Sequence, residues 1–250
     1  VLPSAVATVE GVPVPSAVDG NPDTVWTIGK PTDLTLDLGY LRELGGLTLR
    51  WAKSQVAPSI QLAMSENGTD WTLPDWRQYI GPSSPTGVTN YVRMANAFGR
   101  YVRLSVTPTA ASGVGLIDAT IQPREFGQDD NQFFFSLAGE SPRGSYPRGF
   151  FGQQMYWTVV GAPQGGRAAL LSEDGGIEPG PGAFSIEPFV LENGSVLGWA
   201  EGEHGHTLRD EYLPLPEVHR VHKGFALHIS AHRPPAFGHE KEGRNANNRD

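Results

Sequence analysis

Apolar residues alternate with polar ones at every second position in most hydrophobic segments of the chain. Leu34, Leu36 and Leu38 stand on one side of "LTLDL", Leu47, Leu49 and Trp51 on one side of "LTLRW", and Ile60, Leu62 and Met64 on one side of "IQLAM". Further on, Val102, Leu104 and Val106 line one face of "YVRLSV", and Ile117, Ala119 and Ile121 one face of "IDATI". Strand side chains point alternately to opposite faces, so a period of two predicts antiparallel strands with one buried and one wet face. Asn67-Gly68, inside "SENGTDW", is the strongest short-range hairpin signal. No segment carries an apolar stripe of helical period. The expected class is therefore all-β, beginning with a sandwich or jelly roll that occupies residues 1–123.

The polar, turn-rich residues 124–132 are expected to be a linker. Strand patterns resume in "FFFSLA" (133–138), "MYWTVVGA" (155–162), "RAALLSE" (167–173), "FSIEPFVL" (184–191), "SVLGWAE" (195–201) and "FALHISAH" (225–232). They predict a second β-sandwich-like region over 133–232. Within it, the prolines of "RDEYLPLPEVHRV" (209–221) suit an extended edge segment. Residues 233–250 have no periodicity and few apolar positions, and a disordered tail is expected there.

Composition narrows the function. Glycine (31) and proline (21) make up a fifth of the 250 residues, as many short strands joined by turns require. A net charge of −8 argues against a nucleic-acid surface, which needs clustered lysine and arginine. The absence of cysteine excludes disulfides and thiol chemistry. No apolar run approaches the roughly 20 residues of a membrane span. The chain begins at Val1 without an initiator methionine or signal-like segment, as a processed protein or a piece of a longer one would.

Taken in order, "DGNPDTVW", "LTLDLG", "LTLRW", "SIQLAMSENGTDW", "GRYVRLSV" and "GLIDATIQ" resemble the discoidin, or factor V/VIII type C, domains. They look closest to the bacterial branch used as family 32 carbohydrate-binding modules. The resemblance implies an eight-stranded jelly roll over residues 1–123 that binds carbohydrate. It also implies structural Ca²⁺ in the loop at 19–24, with an acidic residue on the last strand closing the cage. Here the loop offers Asp19, Asn21 and Thr24, and the closing position is Asp118, where the family usually has glutamate. Ca²⁺ takes six to eight oxygen ligands, and a sharp turn aims several at one point. Trp26 follows as a core anchor beneath the loop.

Saccharide recognition needs a flat apolar face beside a few polar groups. Trp51 and Trp71 match family positions inside the sandwich. Trp76, Arg77 and Tyr79 are the expected contacts, in a proline-flanked loop "LPDWRQY" with Asp75 and Gln78 beside them.

The second half resembles, on "YPR", "YWTVVG" and "SIEPF", the β-sandwich region that precedes the catalytic barrel in bacterial glycoside-hydrolase-related proteins. The leading expectation is a non-catalytic carbohydrate-binding module, the N-terminal fragment of such a protein, monomeric and extracellular or periplasmic. Two alternatives stand beside it. One is a glycoside hydrolase in its own right, using a carboxylate pair from Glu173, Asp174, Glu178 and Glu187. The other is an adhesion or surface-binding discoidin protein, although the loops "PSSPTG" (82–87) and "PTAASG" (108–113) offer lipid neither apolar spikes nor a basic patch. All seven histidines fall after residue 203. His204 with His206, and His228 with His232, have spacings that zinc could use, but no acid or cysteine stands at a recurring ligand spacing. Surface and strand-end histidines are expected.

Overall fold

The structure, a computed structural model, describes residues 5–52, 57–81, 87–161, 168–180, 183–193, 195–211, 213 and 215–232. The expected tail at 233–250 and most of the loop at 82–87 lie outside the described residues. The chain divides into two units, Val1–Glu140 and Ser141–Asp250.

The first unit contains β1 (Val6–Val9), β2 (Val12–Pro13), β3 (Trp26–Ile28), β4 (Thr32–Ala52), β5 (Ser59–Ser65), β6 (Asp75–Ile80), β7 (Gly87–Thr107) and β8 (Val114–Gln122). They form one curled antiparallel sheet of eight strands. The expected strands at 34–38 and 47–51 are two halves of a single long strand, β4. Its first half lies between β1 and β7, its second half between β8 and β7. The alternation is borne out for Leu34, Leu36, Leu47, Leu49, Trp51, Leu62, Val102 and Leu104, which all reach one buried core; on β8 a register shift against β4 breaks it, so Leu116, Ala119 and Ile121 are buried and Ile117, expected on that face, is only half-buried. Full burial of such a side chain contributes about 1.5–3 kcal/mol.

The two halves of β4 are joined at a corner where its register against β7 shifts, between Asp37 and Arg42 and again between Leu44 and Gly46. At the first shift the Arg100 guanidinium grips the Asp37 carboxylate with two 2.8 Å hydrogen bonds, holding that carboxyl below its usual range. At the second, Gly45 and Gly46 let backbones come into contact. A Cβ on Gly45 would stand 2.2 Å from the Pro123 carbonyl oxygen, and one on Gly46 1.9 Å from that of Val92.

What crosses this corner differs from the sequence expectation. Residues 124–132 are not a free linker and 133–138 are not a strand: they form α1 (Arg124–Gln128) and most of α2 (Asp130–Glu140). The Asp129 carboxylate accepts the Gln132 N–H at 2.8 Å, capping an otherwise unpaired donor at the start of α2. Phe126, Phe133, Leu137 and Ala138 are buried, and Phe126 and Phe133 meet edge to face at 5.1 Å. At the far end the Glu140 carboxylate takes the Tyr91 hydroxyl, whose pKa burial and the glutamate push up to about 12, and lies 3.7 Å from Arg50. Three consecutive phenylalanines hide the helical period, because only Phe133 faces inward while Phe135 is exposed. The first unit thus extends past residue 123 to Glu140.

The second unit holds β9 (Trp157–Val160), β10 (Ala169–Ser172), β11 (Ile177–Glu178), β12 (Val190–Glu192), β13 (Ser195–Leu197), β14 (Glu203–Leu208), β15 (Pro216–His222) and β16 (Phe225–Ser230). β11–β10–β9 and β14–β15–β16 are three-stranded antiparallel sheets, and β12–β13 is a hairpin. The two larger sheets share a small core of Val160, Leu171 and Val218, flanked by Ile177 and Ile229, as a sandwich does. Two local expectations are corrected. Residues 216–222, expected within an edge segment, form the central strand of their sheet, with Pro216 tolerated as its first residue. The strand expected over 184–191 is reduced to a bridge between Ile186 and Ile177 and the start of β12, leaving Phe184 and Phe189 exposed.

Because backbone atoms, not flexible side-chain ends, crowd Gly45, a Gly45→Ala variant is expected to lose at least about 1–3 kcal/mol. Urea denaturation of the wild type and the variant measures the difference; equal midpoints would show that the corner has room.

Candidate functional site

The segment "DWRQYI", expected as a loop, is β6, a strand paired on one side only, with β7. Period-two geometry therefore separates the expected contacts. Trp76 pairs with buried Met94 and is half-buried against the core, whereas Arg77 and Tyr79 point to the other side. Tyr79 packs edge-on against Phe134 of α2, with ring centroids 5.9 Å apart. Trp76 and Tyr79 do not form one aromatic platform.

A cleft of about 400 Å³ opens along β6 where α1 gives way to α2. Asp75, Trp76, Arg77, Arg93, Ala95, Gln128, Asp129 and Asp130 line it. Arg93 is already engaged, donating to the Gly127 carbonyl at 3.1 Å and pairing with Asp130. That leaves Asp75 and Arg77 as the strand-edge polar groups of β6 in the cleft. Two of the three expected contacts, Trp76 and Arg77, share this cleft, and Tyr79 does not line it. The residues from 128 to 130 enter only because the chain turns back as a helix, which the sequence reading did not foresee.

A second groove, about 600 Å³, lies over the first half of β4 and the end of β7, lined among others by Glu10, Lys30, Asp33, Thr35, Arg103 and Ser105. The Arg103 guanidinium covers the Trp71 ring at 3.7 Å. Sequence reasoning missed this groove because its residues come from separate strands. Their one legible signal is that they are the polar partners of the inward leucines.

The 19–24 loop is a tight turn that gathers Asp19, Asn21 and Thr24. Thr24 Oγ1 stands 2.9 Å from each Asp19 carboxylate oxygen and 3.0 Å from the Asn21 carbonyl oxygen. The Asn21 N–H also donates to Asp19 Oδ1 at 2.9 Å and the Thr24 N–H to the Asn21 carbonyl at 3.2 Å, so a carboxylate, a carbonyl and a hydroxyl oxygen converge in one hydrogen-bonded turn. Trp26 lies directly after it on β3, opposite Leu116 of β8. Asp118 is buried on the same strand, with both its oxygens occupied: Oδ1 accepts the Gly20 N–H at 3.1 Å and Oδ2 the Thr120 hydroxyl. As placed, Asp118 anchors the loop to β8.

In the second unit, three of the four carboxylates considered for hydrolysis, Glu173, Asp174 and Glu187, are tied into packing. Asp174 is buried and takes two hydrogen bonds from Arg148, at 2.9 and 2.6 Å, while Glu173 lies 3.6 Å from the same guanidinium. Arg148 in turn lies over the Trp199 ring, and the Trp199 N–H donates to the Tyr146 carbonyl at 2.6 Å. Burial, then the neighbouring Asp174 charge, push the Glu187 pKa up. Its carboxylate is backed against Gly176, where a Cβ would come within 2.7 Å. Of the histidines, His206 is paired with Thr158 at 3.2 Å.

Residues 4–118 match the F5/8 type C domain family, and that part of the chain is an F5/8 type C, or discoidin, domain. Comparison with curated proteins returns no match. Among solved structures, the chain is similar to CpGH89CBM32-6 of Clostridium perfringens (18% identity, 48% of this chain and 94% of that one, TM-score 0.38). It is also similar to chitosan-binding module 2 from the chitosanase/glucanase of Paenibacillus sp. IK-5, solved with chitotriose (20%, 48% and 98%, 0.38). A third is CpGH89CBM32-5 of Clostridium perfringens, solved with GalNAc-β-1,3-galactose (17%, 47% and 93%, 0.37).

Removing Asp174 leaves the half-buried Arg148 with only Glu173, at 3.6 Å, as counter-charge and its two hydrogen bonds unmade, so Asp174→Ala is expected to destabilise the second unit by about 1–3 kcal/mol. Hydrogen exchange of β9 to β11 would report it, and unchanged protection would show that the pair is dispensable.

Proposed function

We propose that the first unit is a non-catalytic carbohydrate-binding module and that the cleft beside β6 is its binding surface. One observation carries the reading: three consecutive residues, Asp75, half-buried Trp76 and Arg77, line the cleft on a strand edge fixed by its pairing with β7. An aromatic surface supports the C–H face of a pyranose, and carboxylate and guanidinium groups bond its hydroxyls. A volume of about 400 Å³ accommodates one or two sugar rings, in the ordinary range for small-ligand sites. The family match over residues 4–118 and the saccharides named with the similar modules support the same substrate class. The Asp174–Arg148 pairing favours binding over hydrolysis, since it commits to packing one of the acids that a hydrolase reading needs. On this reading the chain works outside the cytoplasm, as part of a larger glycoside-hydrolase-related protein.

A glycan array with the full chain would identify the ligand, and calorimetry would then compare variants. Trp76→Ala and Arg77→Ala are each expected to weaken binding about tenfold, equivalent to roughly 1.4 kcal/mol. Wild-type affinity in both variants would remove the cleft from the reading.

The loop at 19–24 is proposed to hold structural Ca²⁺ through Asp19, the Asn21 carbonyl and Thr24, with Asp118 fixing the loop from below. The ion would neutralise the crowded oxygens and stiffen the loop; it has no part in sugar chemistry. At a Ca²⁺ concentration 100 times the dissociation constant, stabilisation of about 2.7 kcal/mol is expected. Thermal melts with Ca²⁺ and with chelator should differ for the wild type and coincide for Asp19→Ala. Coincident wild-type melts would remove the ion.

A further inference from the structure

The sheet β14–β15–β16 buries Val218 and Arg220 on one face of β15 and turns Glu217 and His219 to the other. On that outer face His219 is paired directly across the strands with His228, and their rings stack with centroids 4.3 Å apart and planes at 28°. Glu217, two residues along, presents its Oε2 3.7 Å from the His228 Nε2. One ligand atom from each of the three side chains lies within 4.8 Å of the others.

We propose that Glu217, His219 and His228 form a site for a divalent transition metal of the zinc type. Four features support it. The donor set, two imidazoles and one carboxylate, is a known three-ligand combination for Zn²⁺ that leaves a fourth position open. In a tetrahedral site, bonds of about 2.0–2.1 Å place ligand atoms roughly 3.4 Å apart. The separations found here close to that by small side-chain rotations, with no change in backbone register. Next, the carboxylate is oriented. Arg209 places its Nε at 2.8 Å and its Nη2 at 2.7 Å from the same oxygen, Oε1, so Oε2 remains directed at the histidines. Finally, the residue facing His219 on β14 is Gly205, and no atom lies within 4 Å of where its Cβ would be. That gap admits the water or small ligand that would complete the coordination.

The site is assembled across a hairpin, so no spacing of histidines within one strand announces it. Its independence from the β6 cleft means that failure of either proposal leaves the other standing.

The test is Zn²⁺ titration of the full chain by calorimetry, together with the visible spectrum of its Co²⁺ complex. One ion per chain and the intense visible bands of four-coordinate Co²⁺ are expected. His219→Ala and His228→Ala should each weaken Zn²⁺ binding about 10-fold or more, since even outer-shell partners of a metal are worth that much. His204→Ala should bind as the wild type does, because its pairing with Arg220 puts it on the opposite face. Circular dichroism checks that the variants are folded. Absence of saturable Zn²⁺ binding by the wild type overturns the proposal. So does one-to-one binding that survives in the folded double variant, or a Co²⁺ spectrum no stronger than that of the hydrated ion.

Discussion

β4 and β7 are long enough to belong to both layers of the first unit, and they pass from one layer to the other because no side chain stands at Gly45 or Gly46. Every other strand of that unit except β2 and β3 is paired to one of these two. The corner is where backbone meets backbone, with the Pro123 and Val92 carbonyls in the space that side chains would fill. The core leucines supply the driving force for collapse, but the corner decides which topology that collapse reaches. It also explains why α1 can lie flat over the sheet: Gly127 meets Gly45 and the Met94 carbonyl at similarly close range.

The second unit is held differently. Its apolar core is small, and charged groups take part of the interior: Asp174 and Arg220 are buried, and Arg148 is sandwiched between Asp174 and Trp199. Arg220 donates to the carbonyls of Pro188 and Leu197, tying the segments around β12 and β13 to the central strand. Directional bonds of this kind contribute less net free energy than apolar burial, but they specify which loops meet. A unit with three small sheets gains its particular arrangement from them.

Much of the first unit was legible because alternating leucines have one consistent reading. Leu34, Leu36, Leu47 and Leu49 can only be half-buried strands, and the order of motifs pointed to the discoidin jelly roll. Residues 124–140 were not legible. Phe133, Phe134 and Phe135 satisfy a strand and a helix equally, and the deciding contact, Phe126 against Phe133, joins two elements. The candidate site was legible in part. Trp76 and Arg77 were found from composition, but "LPDWRQY" looked like a loop because its proline outweighed its aromatic and β-forming residues. The Glu217, His219 and His228 cluster was invisible for a simpler reason: period-two arithmetic within a strand cannot see a neighbour strand whose register is unknown.

The helical strap has a bearing on where the first unit can be cut. The last strand of the sheet ends at Gln122, which makes that residue the apparent seam of the domain. In this chain such a seam would strip the sheet of its cover and leave Tyr91 and Gly46 facing water. An excised domain that keeps this cover must run through Glu140, so the folding unit is larger than its β-sheet.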